Sequence, residues 1–152
     1  MSIEIVDDAP LDEVRALMRE YVAGLPVPVE IPDFEAELAR LPHPYAPPEG
    51  RLLVARDGDA SAGCVAMRPF ENGIGELKRL YVREAFRGRG VGRALVEAVI
   101  ATSRAIGYTR LRLDTHRSME VARTLYGSFG FKEIPAYWDH PVPDVVFYEL
   151  SL

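Results

Sequence analysis

The chain has 152 residues, a formal net charge of −5 and one cysteine. That length suits one domain with a core of its own, since folding at this size removes roughly two thirds of the unfolded surface from water and needs no disulfide or metal staple. A composition of 48% hydrophobic and 27% charged residues excludes a disordered tail or a fibre. Cys64 has no intramolecular partner, and His43, His116 and His140 are too scattered in sequence to build a zinc cluster with it, so no metal is expected. No apolar run is long enough for a membrane span, and the residues from Met1 to Asp8 lack the basic flank and apolar stretch of a secretory signal, which predicts a cytoplasmic protein without membrane contact. The acidic balance argues against general affinity for nucleic acid.

In chain order, Ile3 to Val6 is a β-like run that stops at Asp7, Asp8, Ala9 and Pro10, a helix-entry signal with Asp8 as the expected cap. Leu11, Val14, Leu17, Met18, Tyr21, Val22 and Leu25 recur at spacings of three and four, which predicts a helix ended by Gly24 and Pro26. Pro26 to Pro32 lacks backbone donors and predicts a loop. Phe34, Leu38 and Leu41 predict a second, short helix, and Pro42 to Gly50 a stiff, exposed connection. Leu52 to Val54 and Ala62 to Met67 form a hairpin about the Asp57-Gly58 turn. After a turn at Asn72-Gly73, Ile74 to Val82 reads as a longer strand, with Glu76, Lys78, Leu80 and Val82 on one face and Leu77, Arg79 and Tyr81 on the other. The glycine-rich segment from Arg87 to Gly92 opens a helix whose apolar positions keep helical spacing from Val91 to Thr102, ending at Gly107. Leu111 to Asp114 is a strand. Ser118 is the expected cap of a final helix carrying Met119, Ala122, Leu125, Tyr126 and Phe129, closed by Gly130, and Lys132 to Ile134 and Val145 to Leu150 complete the strands. There is no repeat or linker, so residues 1–152 read as one mixed α/β domain.

The stretch from Lys78 to Arg93 departs from the acidic average: Lys78, Arg79, Arg83, Arg87, Arg89 and Arg93 face a single acid, Glu84. A strand feeding a glycine-rich turn that opens a helix aims unpaired backbone N–H groups outward, where the helix dipole adds positive potential. Gly88, Gly90 and Gly92 lack the side chains that would hold a ligand off the backbone, and a pyrophosphate is the natural guest. No Gly-Lys-Ser or Gly-Lys-Thr ending supports a Walker loop. The G-x-G-x-G spacing, past mid-chain and after a hairpin, argues against a dinucleotide fingerprint.

Arg87-x-x-Gly90-x-Gly92 resembles the [Q/R]-x-x-G-x-[G/A] acyl-CoA signature of the GNAT acetyltransferase family, and Glu76 to Val82 resembles the strand that precedes it there. Ala122 to Phe131 is similar to the family's A-x-x-L-Y-x-x-x-G-F. The resemblance covers essentially the whole chain. It implies an α/β (α+β) fold with a mixed, mainly antiparallel central sheet flanked by about four helices, and acetyl-CoA as cofactor. It further implies that backbone amides of Arg87, Gly88, Arg89, Gly90, Val91, Gly92 and Arg93 hold the pyrophosphate, and that backbone groups of Leu80, Tyr81 and Val82 pair with the pantetheine arm. Met119 stands where the family often has an asparagine that contacts that arm. The implied partner is a small-molecule or peptide amine, with pairing of protomers through the late strands as a homodimer.

Acyl transfer to an amine must remove protons from an alkylammonium of pKa about 10.4. Glu76 matches the position of the family's carboxylate base, acting directly or through one water; the other reading is a strand-face ion pair with Lys78, two residues away. Tyr126 resembles the family's tyrosine that assists the leaving thiolate, and it also fits a core stripe with Ala122 and Phe129. Nothing around Cys64 supports a nucleophile, so a small buried hydrophobe is expected. The regions that line the acceptor pocket in the family nominate Tyr45, Tyr137, Trp138 and His140, whose aromatics either wall a cationic acceptor or cap the core. The two functional classes left are an acetyl-CoA-dependent N-acetyltransferase and a catalytically silent CoA-binding sensor; the presence of both Glu76 and Tyr126 favours the enzyme.

Overall fold

The computed structural model describes residues 2–26 and 33–152, and most of the stretch expected to be a proline loop, 27–32, lies outside the described residues. The described chain runs β1 (Ile3–Val6), α1 (Leu11–Ala23), α2 (Phe34–Arg40), β2 (Arg51–Asp57), β3 (Ala60–Glu71) and β4 (Ile74–Val82), and then a 3₁₀ turn at Glu84–Phe86. It continues through α3 (Val91–Ile106), β5 (Arg110–His116), α4 (Glu120–Ser128), β6 (Lys132–Ile134) and β7 (Val145–Ser151). One seven-stranded sheet in the order β1-β2-β3-β4-β5-β7-β6 carries them, antiparallel everywhere except between β4 and β5. The tight turns fall at Gly58 and Gly73, both at positive φ, where glycine carries no steric penalty.

Each face of the sheet has its own core. Leu95, Val96 and Val99 of α3 and Tyr126 of α4 pack with Leu53, Val65, Met67, Leu77 and Leu111 on one side. Val14, Leu17 and Met18 of α1 and Leu38 of α2 pack with Val54, Cys64 and Ala66 on the other. Each fully buried aliphatic side chain contributes roughly 1.5–3 kcal/mol, so alternating residues of β2 and β3 fix both layers at once.

Four local expectations are corrected. Pro10, not Asp8, occupies the N-cap of α1, and no side chain caps it; its carbonyl takes the N–H groups of Glu13 and Val14 while Asp12 and Glu13 supply negative charge to the first turn. Ser118 does not cap α4, which begins after Met119; its hydroxyl and its N–H turn back to His116 Nδ1 instead. The connection from Pro42 to Gly50 is not exposed throughout, because Tyr45 is fully buried and the Cα of Gly50 presses so close to the Tyr45 backbone that a Cβ there would lie 2.6 Å from its carbonyl carbon.

The fourth correction shapes the site. Between Cys64↔Tyr81 and Ala66↔Lys78, β3 advances two residues while β4 advances three, a bulge that places Arg79 at φ 61°. The extra residue shifts the phase of β4. Glu76 and Lys78 face the α1 and α2 side together with the bulged Arg79, while Leu80 and Val82 join Leu77 against α3, so the single alternation expected along this strand reverses at Arg79.

Candidate active site

β4 and β5 pair only at Ile74↔Arg110, Gly75↔Leu111 and Glu76↔Arg112, although β4 runs on to Val82 and β5 to His116. Beyond that point the strands part. The β5-facing backbone groups of the second half of β4 therefore have no strand partner, and such groups seek one. The gap is a slot of about 40 Å³ between Leu77–Leu80 and Asp114–Thr115, closed above by Met119, Ala122 and Tyr126. It opens into a cleft of about 510 Å³ walled by α1, α2, β3, β4, β5 and the segment before β7. Tyr21, Lys78, Arg79, Asp114, Thr115 and Met119 line both spaces and so form the neck between them.

Glu76 sits on the cleft wall with its side chain 1% exposed. Arg68, its register partner on β3, donates from Nε to Oε1 at 2.8 Å, and the Tyr137 hydroxyl donates to Oε2 at 2.6 Å. The ion pair of Glu76 is thus with Arg68 across the sheet rather than with Lys78 along the strand. Tyr126 lines the slot, its ring stacked edge-on against Phe131 at 5.6 Å, and its hydroxyl hydrogen-bonds no described residue. Burial raises its pKa, so the phenol stays protonated. Met119 lines the neck, where its sulfur accepts from the Thr115 hydroxyl at 3.6 Å. Cys64 is buried with its thiol pushed up to about 12 by burial, as suits a small hydrophobe.

At the far end of β4, Gly88 and Gly90 adopt φ of 76° and 79°, and a Cβ on either would meet nothing within 4 Å. The first bond of α3 runs from the Ala94 N–H to the Gly90 carbonyl, so the N–H groups of Val91, Gly92 and Arg93 precede the helical ladder and point out of its end. Gly92 serves packing instead: a Cβ there would lie 3.3 Å from Leu125 Cδ2 and 3.6 Å from Val82 Cγ2. The cationic patch is smaller than the local sequence implies. Arg79 is closed by Glu37 of α2 through a two-pronged pair at 2.9 and 3.1 Å, and Arg83 by Glu20 of α1 at 2.7 and 3.0 Å, with Tyr81 also donating to Glu20. Arg87 and Arg93 stand at the turn without an acidic partner among the described residues. Arg87 Nε donates to the Val82 carbonyl, while Arg93 donates to the Ser128 hydroxyl and lies over the Phe129 ring.

The nominated acceptor residues separate. Tyr45 does not line the cleft; it lies in the core under α1 and α2, where burial pushes its phenol up to about 12. Tyr137 reaches Glu76 from behind, between the rings of Phe70 and Phe147 with Arg112 over its face, and burial raises its pKa. Trp138 and His140 do line the cleft, with ring centroids 4.5 Å apart. Trp138 Nε1 donates to Asp114 Oδ2 at 2.9 Å. His140 Nδ1 accepts the Val142 N–H at 3.0 Å, which directs Nε2 toward Asp114 Oδ1 at 3.9 Å, and burial holds the imidazole below its usual range against the pull of that carboxylate. Arg68, Lys78 and Asp114 went unnoticed in the sequence as site residues, because only the pairing of β4 with β3 and β5 brings them to the cleft. Among the described residues no group of three or more His, Cys, Asp or Glu could hold a metal ion, and no helix is long and apolar enough to cross a membrane.

An extended cofactor with a phosphate end fits these residues. The unpaired edge of β4 can take a strand-like arm, and the open space over Gly88 and Gly90 lets phosphates reach the N–H groups at the start of α3. The parted sheet thus has a glycine turn with outward-pointing N–H groups at one end of the gap, an open cleft at the other, and a neck between them, the layout of a protein that could bring two ligands together. The chain belongs to the Acetyltransferase (GNAT) family, whose model matches residues 14–131, and it is an acyltransferase. It is 40% identical over 144 residues to an uncharacterized N-acetyltransferase of Schizosaccharomyces pombe, covering 93% of this chain and 88% of the relative. An acetyltransferase from Streptococcus agalactiae shares its fold with a TM-score of 0.81 at 22% identity, over 99% of this chain and 98% of that one. The PaiA N-acetyltransferase of Thermoplasma acidophilum, solved in complex with coenzyme A, shares it at 0.75 and 20% identity over 100% of both chains.

Proposed function

We propose that the protein is an acetyl-CoA-dependent N-acetyltransferase that acetylates the primary amine of a small molecule or peptide by direct attack within a ternary complex. The observation that carries this reading is the neck: one space is shared by a slot beside an unpaired strand edge and by a cleft holding a buried carboxylate. Leu80, Tyr81 and Val82 would hold the pantetheine arm, and the backbone from Arg87 to Arg93 the pyrophosphate. When bound, acetyl-CoA supplies the activated acyl group as a thioester.

The rest is the work of the chain. Most of the acceleration comes from holding amine and thioester together at the neck. Glu76 accepts the proton of the amine, directly or through one water; Arg68 holds Oε1 and Tyr137 donates to Oε2, which fixes the direction of the carboxylate and leaves a lone pair on Oε2. Tyr126 keeps a proton on its hydroxyl at the slot, where a departing thiolate needs one. Separate calorimetric titrations with acetyl-CoA, ATP and NAD test the ligand class, and CoA release with a panel of amines tests turnover. Acetyl-CoA alone should bind. Binding of ATP or NAD without acetyl-CoA overturns the proposal.

A further inference from the structure

Of the eight described acidic and basic side chains that line the cleft, four are matched in pairs; Asp33, Arg40, Lys78 and Asp114 are not, and of these only Lys78 and Asp114 also line the slot. Arg68 closes on Glu76 and Arg79 on Glu37, each at ion-pair distance. Lys78 and Asp114 are not closed on each other. Glu76 and Arg112 are the last paired residues of β4 and β5, and Lys78 and Asp114 lie two residues further on, each on the same strand face as its predecessor. They would be neighbours if the strands stayed together. Because the strands part, the ammonium and the carboxylate face each other across the neck, beyond the 4.0 Å of an ion pair, and both line the slot as well as the cleft.

Lys78 makes no hydrogen bond and no ion pair with any described residue. Burial pushes its pKa below the usual lysine range although Glu76 and Asp114 pull it up, and the Arg79 and Arg68 guanidiniums add to the fall. Asp114 has one oxygen bonded to Trp138 and the other 3.9 Å from His140, which orients the carboxylate without neutralising it.

We propose that the acceptor is a small zwitterion, an amine that also bears a carboxylate, with Asp114 taking its ammonium group and Lys78 its carboxylate; this rests on the acyl-transfer reading above. Each charge of the ligand then meets its complement at the one place where the donor slot and the acceptor cleft touch. A polyamine would set a second ammonium against Lys78, and an amine with a neutral tail would leave Lys78 buried without a partner, a cost that rejects it.

The test compares L-leucine, L-leucinamide and 3-methylbutylamine, which differ only in the carboxylate, and repeats the comparison for polar and charged amino acids, with acetyl-CoA binding measured in parallel. The best free amino acid should exceed its amide and its decarboxylated analogue in kcat/KM by roughly tenfold or more. Lys78→Met should erase that preference, chiefly through KM, and Lys78→Arg should restore part of it. Equal kcat/KM across matched amines, or a preference untouched in Lys78→Met, overturns the zwitterion while leaving acyl transfer standing. Absence of turnover with every amine overturns the acyl-transfer reading and this proposal with it.

Discussion

At the scale of single residues, Tyr126 separates a chemical role from a structural one. Its ring fills the core between Phe131 and Tyr148, yet its hydroxyl hydrogen-bonds no described residue, so Tyr126→Phe removes one oxygen and no described hydrogen bond. The melting temperature should hardly move, while kcat should fall by about 10–100-fold with little change in KM; a loss confined to KM contradicts the acid role. Gly90 offers a second clean comparison. Its φ of 79° disfavours most side chains, but Asn and Asp tolerate that region better than others, so the pair Gly90→Asn and Gly90→Asp shares the backbone strain and differs in charge. Calorimetry should show acetyl-CoA bound at least about tenfold more weakly by the Asp variant than by the Asn variant, and equal affinities refute phosphate binding at this turn. That Glu76 and Tyr126 stand at the cleft and the slot, and the glycines at the start of α3, could be anticipated from local spacing and from the family resemblance. Tyr45 was misread because the proline-rich connection folds back on itself, and Lys78 and Asp114 were missed because their meeting depends on which strands pair.

At the scale of elements, the bulge in β4 and the two helices that cover it act together. Arg79 carries the positive φ of the bulge, and its guanidinium is held by Glu37 with both side chains nearly buried, 10% and 12% exposed. A non-glycine residue in this conformation persists when its surroundings over-determine it, and the pair with α2 does so here. Glu37→Gln leaves the Arg79 charge with half a partner in a dry setting, a change that costs on the order of 3 kcal/mol. Thermal unfolding should register a fall of about 6–12 °C, whereas Glu35→Gln, whose pair with Arg19 is exposed, should change it by no more than about 1 kcal/mol in equivalent stability. Equal small effects at both sites would show that α2 does not brace the bulge. The order and type of the elements could be read from hydrophobic period, but the bulge could not. Alternation predicts a strand face only while the pairing stays in register, and an extra residue changes the phase without any signature in the hydrophobic pattern. The same blindness to distance inflated the cationic patch: the partners of Arg79 and Arg83 lie 42 and 63 residues upstream.

At the scale of the molecule, the sheet has a seam. β1 to β4 and β5 to β7 meet through three paired residues of each middle strand, and past Glu76 and Arg112 nothing in the ladder joins them. The halves are nevertheless one core on the α3 face, where Leu53, Val65, Met67 and Leu77 of the first half share a cluster with Leu111, Leu113, Val146 and Leu150 of the second, bridged by Tyr126 and Phe131. Burial of that continuous cluster makes separate melting of either half expose the apolar face of the other, so unfolding should be a single cooperative calorimetric transition. A ligand lying along the β4 edge and reaching the start of α3 binds only when the seam is formed, and it therefore stabilises the whole molecule by mass action. At a hundred times its dissociation constant acetyl-CoA contributes about 2.7 kcal/mol, which should raise the melting temperature by about 5–11 °C. Gly90→Asp should lose about half or more of that increment when tested at the same acetyl-CoA concentration, because a tenfold weaker affinity lowers the contribution to about 1.4 kcal/mol. Two resolved transitions in the ligand-free protein would show that the halves fold independently, and a melting temperature indifferent to saturating acetyl-CoA would remove the donor from the slot.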